Sequence, residues 1–164
     1  MTGTDPDADA ELVLAAYGRV MLTVQLVERQ LGALWILSFG EERREVSSRG
    51  EARAWRRMLS ALDESTPRVI ARALAAKLDK DLTGRLTDMI GWRDRLADGY
   101  LAEHLEAGSR FAAGTHRELV GLRERFAASG RVLEAMIDRL AEELCDDIAA
   151  WPAEARAVLE AARG

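Results

Sequence analysis

The chain's apolar pattern predicts an all-α fold, an antiparallel helical bundle of about five to six helices. Apolar side chains recur at steps of three and four, as in Leu12, Tyr17, Val20, Met21, Val24, Val27, Leu31, Leu34 and Trp35, which gathers them on one side of a helix. No stretch alternates with period two for long enough to make a strand. The 164 residues are 48% apolar and 31% charged, the balance of a folded domain with one core.

The elements follow in order. Residues 1–8 read as a flexible acidic lead, and 9–164 as a single helical-bundle domain. The first helix runs from Asp9 to the Phe39-Gly40 pair, and its wide apolar stripe makes it central. Glu41 to Gly50 form a charged loop. A second helix spans Glu51 to Leu62 with Trp55, Met58, Leu59 and Leu62 on one face. Thr66-Pro67 reads as a helix start, because Pro fits the first turn and a hydroxyl caps it; this third helix reaches Leu78. A fourth begins near Leu82 and ends before Gly108, with Leu86, Met89, Ile90, Ala97, Tyr100 and Leu101 on its apolar face. Thr115 and Glu118 have capping-box spacing and open a fifth helix that runs to about Ala149. Trp151-Pro152 breaks it, and an Ala-rich helix from Ala153 to Ala162 closes the series.

Composition narrows the function classes. The net charge is -5 and the pI about 5.2, whereas binders of duplex nucleic acid carry a basic excess to neutralise phosphates. Duplex DNA binding is therefore not expected, and any RNA contact needs a local basic patch. Cys145 is the single cysteine, so no internal disulfide or Cys-rich zinc site is possible. The expected compartment is cytoplasmic, with Cys145 as a small buried hydrophobe. The acidic start lacks the basic region of a secretory signal. The apolar stretch Leu31–Phe39 is too short to span a bilayer, so no membrane is expected. Asp146-Asp147 lack further ligands, and neither a metal nor another cofactor is expected.

The segment from Trp92 to His104 reads Trp92-Arg93-Asp94-Arg95-Leu96-Ala97-Asp98-Gly99-Tyr100-Leu101-Ala102-Glu103-His104. It resembles the signature of HEPN proteins, in which an Arg, a polar residue and a short spacer lead to a His and then an aromatic. Arg93 stands at the family Arg, Asp94 at the polar position, Leu96-Ala97 in the spacer and Tyr100 at the aromatic. Asp98 stands where the family has its His. Gln25-Leu26-Val27-Glu28 is similar to a polar-Leu-Glu element in the family's first helix. The resemblance implies an all-α, often dimeric bundle. It implies Arg93, Asp94, Tyr100 and Glu28 as binding residues. Many such proteins are metal-independent ribonucleases of toxin–antitoxin and phage-defence systems, or partners of nucleotidyltransferases. The Ala, Arg and Leu richness is that of a GC-rich bacterial genome.

The departure at Asp98 decides the chemistry expected. Metal-free RNA cleavage needs a base for the ribose 2′-OH and an acid for the leaving oxygen, roles that His fills near neutral pH. An Asp, with a reference pKa of about 3.9, is a weak base and a poor acid there, and its charge repels phosphate. Arg93 can still hold an anion with a bidentate grip. His104 lies on the same side of a continuous helix but about 16 Å further along it. Arg110 and His116 show a loose Arg-spacer-His spacing, but Gly114-Thr115 reads as a helix cap. Arg93, Asp98 and His104 are thus candidates without a complete catalytic set. The preferred expectation is a non-catalytic HEPN-like interaction or regulatory module, homodimeric and binding RNA or a partner protein. The alternatives are a ribonuclease drawing on Arg93, His104 and Tyr100, and a structural bundle unrelated to HEPN.

Each residue also has a plainer reading. Arg93 lies on an apolar helix face and calls for a paired acid such as Glu28, since a buried charge left bare costs several kcal/mol. Asp98 reads as a surface residue or as the i,i+3 partner of Arg95. Arg43-Arg44 and Arg53, Arg56-Arg57 read as solvated faces or as a patch for RNA or a partner. Trp35, Trp55, Trp92 and Trp151 read as core or interface anchors.

Overall fold

The long first helix runs past the glycine expected to end it. In a computed structural model, which describes residues 6–44, 50–106 and 113–163, α1 spans Pro6–Arg43. Phe39 and Gly40 stay inside it because both serve packing. Phe39 meets Trp55 edge-on, with ring centroids 4.9 Å apart. Gly40 lies under Trp151 so closely that a Cβ would overlap the indole. The remaining helices are α2 (Glu51–Glu64), α3 (Pro67–Leu74), α4 (Lys80–Asp98), α5 (Tyr100–Glu106), α6 (Ala113–Glu143), α7 (Cys145–Ile148) and α8 (Ala153–Arg163). The described residues thus hold eight helices and no strand, against the five to six helices expected.

The long helices α1 and α6 run in the same direction. Gly130 faces Val27 and Gln30, and further along both helices Arg44 reaches Asp147 at 3.0 Å. The antiparallel neighbours of α1 are shorter. On α2, Trp55 meets Phe39 and Leu62 meets Gly32. On α8, Val158 reaches Gly32, after Trp151 has covered Gly40. On α4, Leu96 accepts a hydrogen bond from the Tyr17 hydroxyl at 2.9 Å, and Arg93 lies beside Glu28.

Two halves of α1 behave differently. Leu31, Ala33, Leu34, Ile36 and Leu37 are all buried, so this half is enclosed on every side. The first half buries only the line Val13, Ala16, Val20, Val24 and Val27, while Leu12, Leu14, Leu22 and Leu26 are exposed. Among the described residues, α1 is the one helix long and apolar enough to cross a membrane, a longer apolar run than Leu31–Phe39 alone.

Several local expectations are corrected. The third helix stops at Leu74, four residues early. Thr66 is its N-cap residue and Pro67 takes the first turn, but the Thr66 hydroxyl makes no capping bond. The Asp79 carboxylate caps α4 instead, accepting from the Leu82 N–H at 2.7 Å. Gly99 divides the expected fourth helix into α4 and α5. No capping box forms at Thr115, which is buried inside α6, two residues after its start. The expected fifth helix divides into α6 and α7. Cys145 is exposed, not buried. Residues 1–5 of the expected lead, 45–49 of the expected loop, and Arg110 lie outside the described residues, while Pro6 already belongs to α1.

Candidate functional site: an ion-pair network across α1, α3 and α4

Arg93 comes from the fourth turn of α4, on the side that α4 turns toward α1, and it meets the carboxylate that α1 offers there. Its Nε lies 3.2 Å from Glu28 Oε1, an ion pair without hydrogen-bond alignment. Its Nη1 donates to Asp94 Oδ1 at 3.0 Å. The other oxygen of Asp94 accepts from Arg68 Nη2 of α3 at 3.2 Å. Two arginines and two carboxylates thus form one chain, Glu28–Arg93–Asp94–Arg68, that ties three helices together.

The electrostatics are those of a closed circuit. Burial raises the Glu28 carboxyl above its usual value, and the nearby Asp94 adds to this while Arg93 opposes it. The bond to Asp94 raises Arg93 further, against the cost of its burial, with smaller contributions from Glu28 and Asp98. Arg93 is therefore a permanent cation whose charge is matched locally. An incoming phosphate meets the charge of both carboxylates beside it.

The remaining predicted residues form a separate pair. Tyr100 opens α5 and is fully buried. Its hydroxyl donates to Glu118 Oε2 on α6 at 2.7 Å. Burial, followed by this bond, pushes the phenol well above its ordinary range, so it is no base at neutral pH. His104 stacks on the Tyr100 ring at 4.2 Å. Its Nδ1 lies 2.6 Å from the Tyr100 carbonyl oxygen, which only accepts, so Nδ1 carries the proton. Asp98 is exposed at the end of α4. Arg95 does not pair with it; Arg95 sits over the Trp92 ring at 5.1 Å and reaches Glu103 at 3.8 Å.

The structure therefore brings Glu28, Arg93 and Asp94 together, and Tyr100 with His104. Sequence reasoning reached the Glu28–Arg93 pair because an Arg on an apolar face needs an acid. It missed Arg68, whose partner is 26 residues away, and it read Glu118 as part of a cap. Nothing local in the sequence points to either contact.

Two further features lie outside the network. A cleft of about 220 Å³ between α4 and α6 is lined by Arg85, Asp88, Trp92, Arg125, Phe126 and Ser129. It is smaller than the roughly 300–1,000 Å³ of sites for whole small molecules. On α2, Arg53, Arg56 and Arg57 are exposed together beside Ser60 and Glu64. By contrast, Arg44 is held by Asp147, and Arg43 lies 5.7 Å over the Phe39 ring. Trp55 and Trp151 are buried anchors, and Trp35 and Trp92 are half-buried.

No family model matches the chain, and no curated protein or solved structure matches it either.

Proposed function

We propose that the chain is a non-catalytic HEPN-like interaction or regulatory module, acting as a homodimer that recognises a partner protein or RNA in a toxin–antitoxin or defence-type system. One observation carries the reading: the guanidinium of Arg93 is already engaged by Glu28 and Asp94. At the position of the family histidine stands Asp98, whose charge adds to that of the two carboxylates. Tyr100 is tied to Glu118, and His104 spends Nδ1 on a backbone carbonyl. If the partner is RNA, the exposed arginines of α2 offer a phosphate-binding face that the network does not.

An RNA-cleavage assay in EDTA on the wild type, Arg93→Ala and Asp98→His tests the reading. The wild type and Arg93→Ala are expected to be inert, and Asp98→His to gain cleavage that disappears when Arg93 is also removed. Cleavage by the wild type, abolished by Arg93→Ala, would make the protein an enzyme and overturn the proposal. The RNA arm is read by fluorescence anisotropy with a single-stranded RNA. Binding that Arg56→Glu with Arg57→Glu leaves untouched removes α2 from that role.

A further inference from the structure

The first half of α1 buries one side only. Opposite its valine line lie Glu11, Ala15, Gly18, Leu22, Gln25 and Arg29, at alternating steps of four and three. That is the spacing of a two-helix seam. Leu22, at its centre, is 68% exposed, and Leu12, Leu14 and Leu26 flank it at 57%, 47% and 42%. Nothing lies within 4 Å of the place a Gly18 Cβ would occupy, so a second backbone can approach closely there. Neither Glu11 nor Arg29 makes an ion pair among the described residues.

The seam is complementary to itself when reversed about Val20. An antiparallel copy centred there sets Leu22 over Gly18, Gln25 opposite Ala15 and Arg29 opposite Glu11, and two-fold symmetry repeats each contact. Every layer then joins a large side chain to a small one, or opposite charges. A parallel copy would instead set Leu22 on Leu22, Glu11 on Glu11 and Arg29 on Arg29. We infer that this face of α1 is the interface through which two copies of the chain pair antiparallel about Val20. The inference rests on the homodimeric part of the function proposed above and is independent of Arg93 and of the HEPN resemblance. The seam is about 27 Å long, which places it among small interfaces of less than about 1,200 Å² that dissociate on dilution. Arg19 meets its own copy at one edge; this like-charge contact weakens the pair, and Arg19→Gln tightens it.

Sedimentation velocity on the full chain tests the interface, with circular dichroism confirming that the surface variants stay folded. The wild-type mass is expected to double as concentration rises toward roughly 100 µM. Leu22→Glu is expected to remain a monomer. Glu11→Arg and Arg29→Glu, each acting at two symmetric contacts, are expected to weaken pairing about fivefold or more. The chain carrying both reversals regains it. A wild type that stays monomeric, a dimer indifferent to Leu22→Glu, or a double reversal that fails to restore pairing overturns the inference. So does a monomeric wild type that binds phosphatidylcholine vesicles through Leu22, which would assign the face to lipid. The cleavage assay separates the two proposals: a monomer inert toward RNA removes this interface and leaves the non-catalytic assignment standing.

Discussion

At Glu28, burial and ion pairing act in opposite directions, and burial is the larger. The folded pKa therefore lies above the unfolded one. The stability tied to this group is fully present below the unfolded value and is lost as pH rises through the folded value. Glu28→Gln does not titrate and has no such pH dependence. Urea midpoints of the variant are thus expected to gain on those of the wild type between pH 4 and pH 7; a constant difference would mean that Arg93 cancels the cost of burial. Gly40 makes a second prediction at this scale. A Cβ there would overlap Trp151, so Gly40→Ala is expected to cost about 1–3 kcal/mol as an overpacked site. An unchanged denaturation midpoint would show that the indole moves aside freely. The Glu28–Arg93 partnership was legible in the sequence because a charge on an apolar face demands compensation. The Arg68–Asp94 contact was not, since it depends on where α3 lands against α4.

Helices were legible where apolar spacing is long and regular, and α1, α2, α4 and α8 lie close to where periodicity puts them. Their ends were read less well, because one residue type serves several purposes. Glycine marks a helix end when the chain needs an unusual turn, yet Gly40 is kept for the space it leaves. Thr115 and Glu118 have the spacing of a cap, but a capping residue stands before the first turn, whose N–H groups it satisfies. Lying two residues inside α6, Thr115 is buried and Glu118 serves Tyr100. The break at Gly99 interrupts an apolar stripe that Tyr100 resumes, so periodicity passes over it. The start of α4 shows what a working cap contributes. Asp79 accepts from Leu82 N–H, and Asp79→Ala is expected to cost about 1 kcal/mol. Chemical denaturation checks this, and no loss would mean that water replaces the carboxylate at no cost.

At the scale of the whole molecule, burial is concentrated around one half of one helix. Residues 31–37 of α1 are packed from all sides, whereas residues 11–26 face protein on one side only. Hydrogen exchange followed by mass spectrometry is expected to show the slowest amides between Leu31 and Leu37, opening only with global unfolding. The amides between Glu11 and Leu26 are expected to exchange through local openings. Equal protection along α1 would contradict this. The parallel course of α1 and α6 carries a consequence for synthesis. The valines of α1 have their principal cover in α6, which begins at Ala113, whereas α1 ends at Arg43. With chain growth of about 5–20 residues per second, the intervening segment takes on the order of 4–14 s to make. For that interval a ribosome-bound chain holds an apolar helix without its principal cover, which makes α1 a client for a chaperone at the exit tunnel.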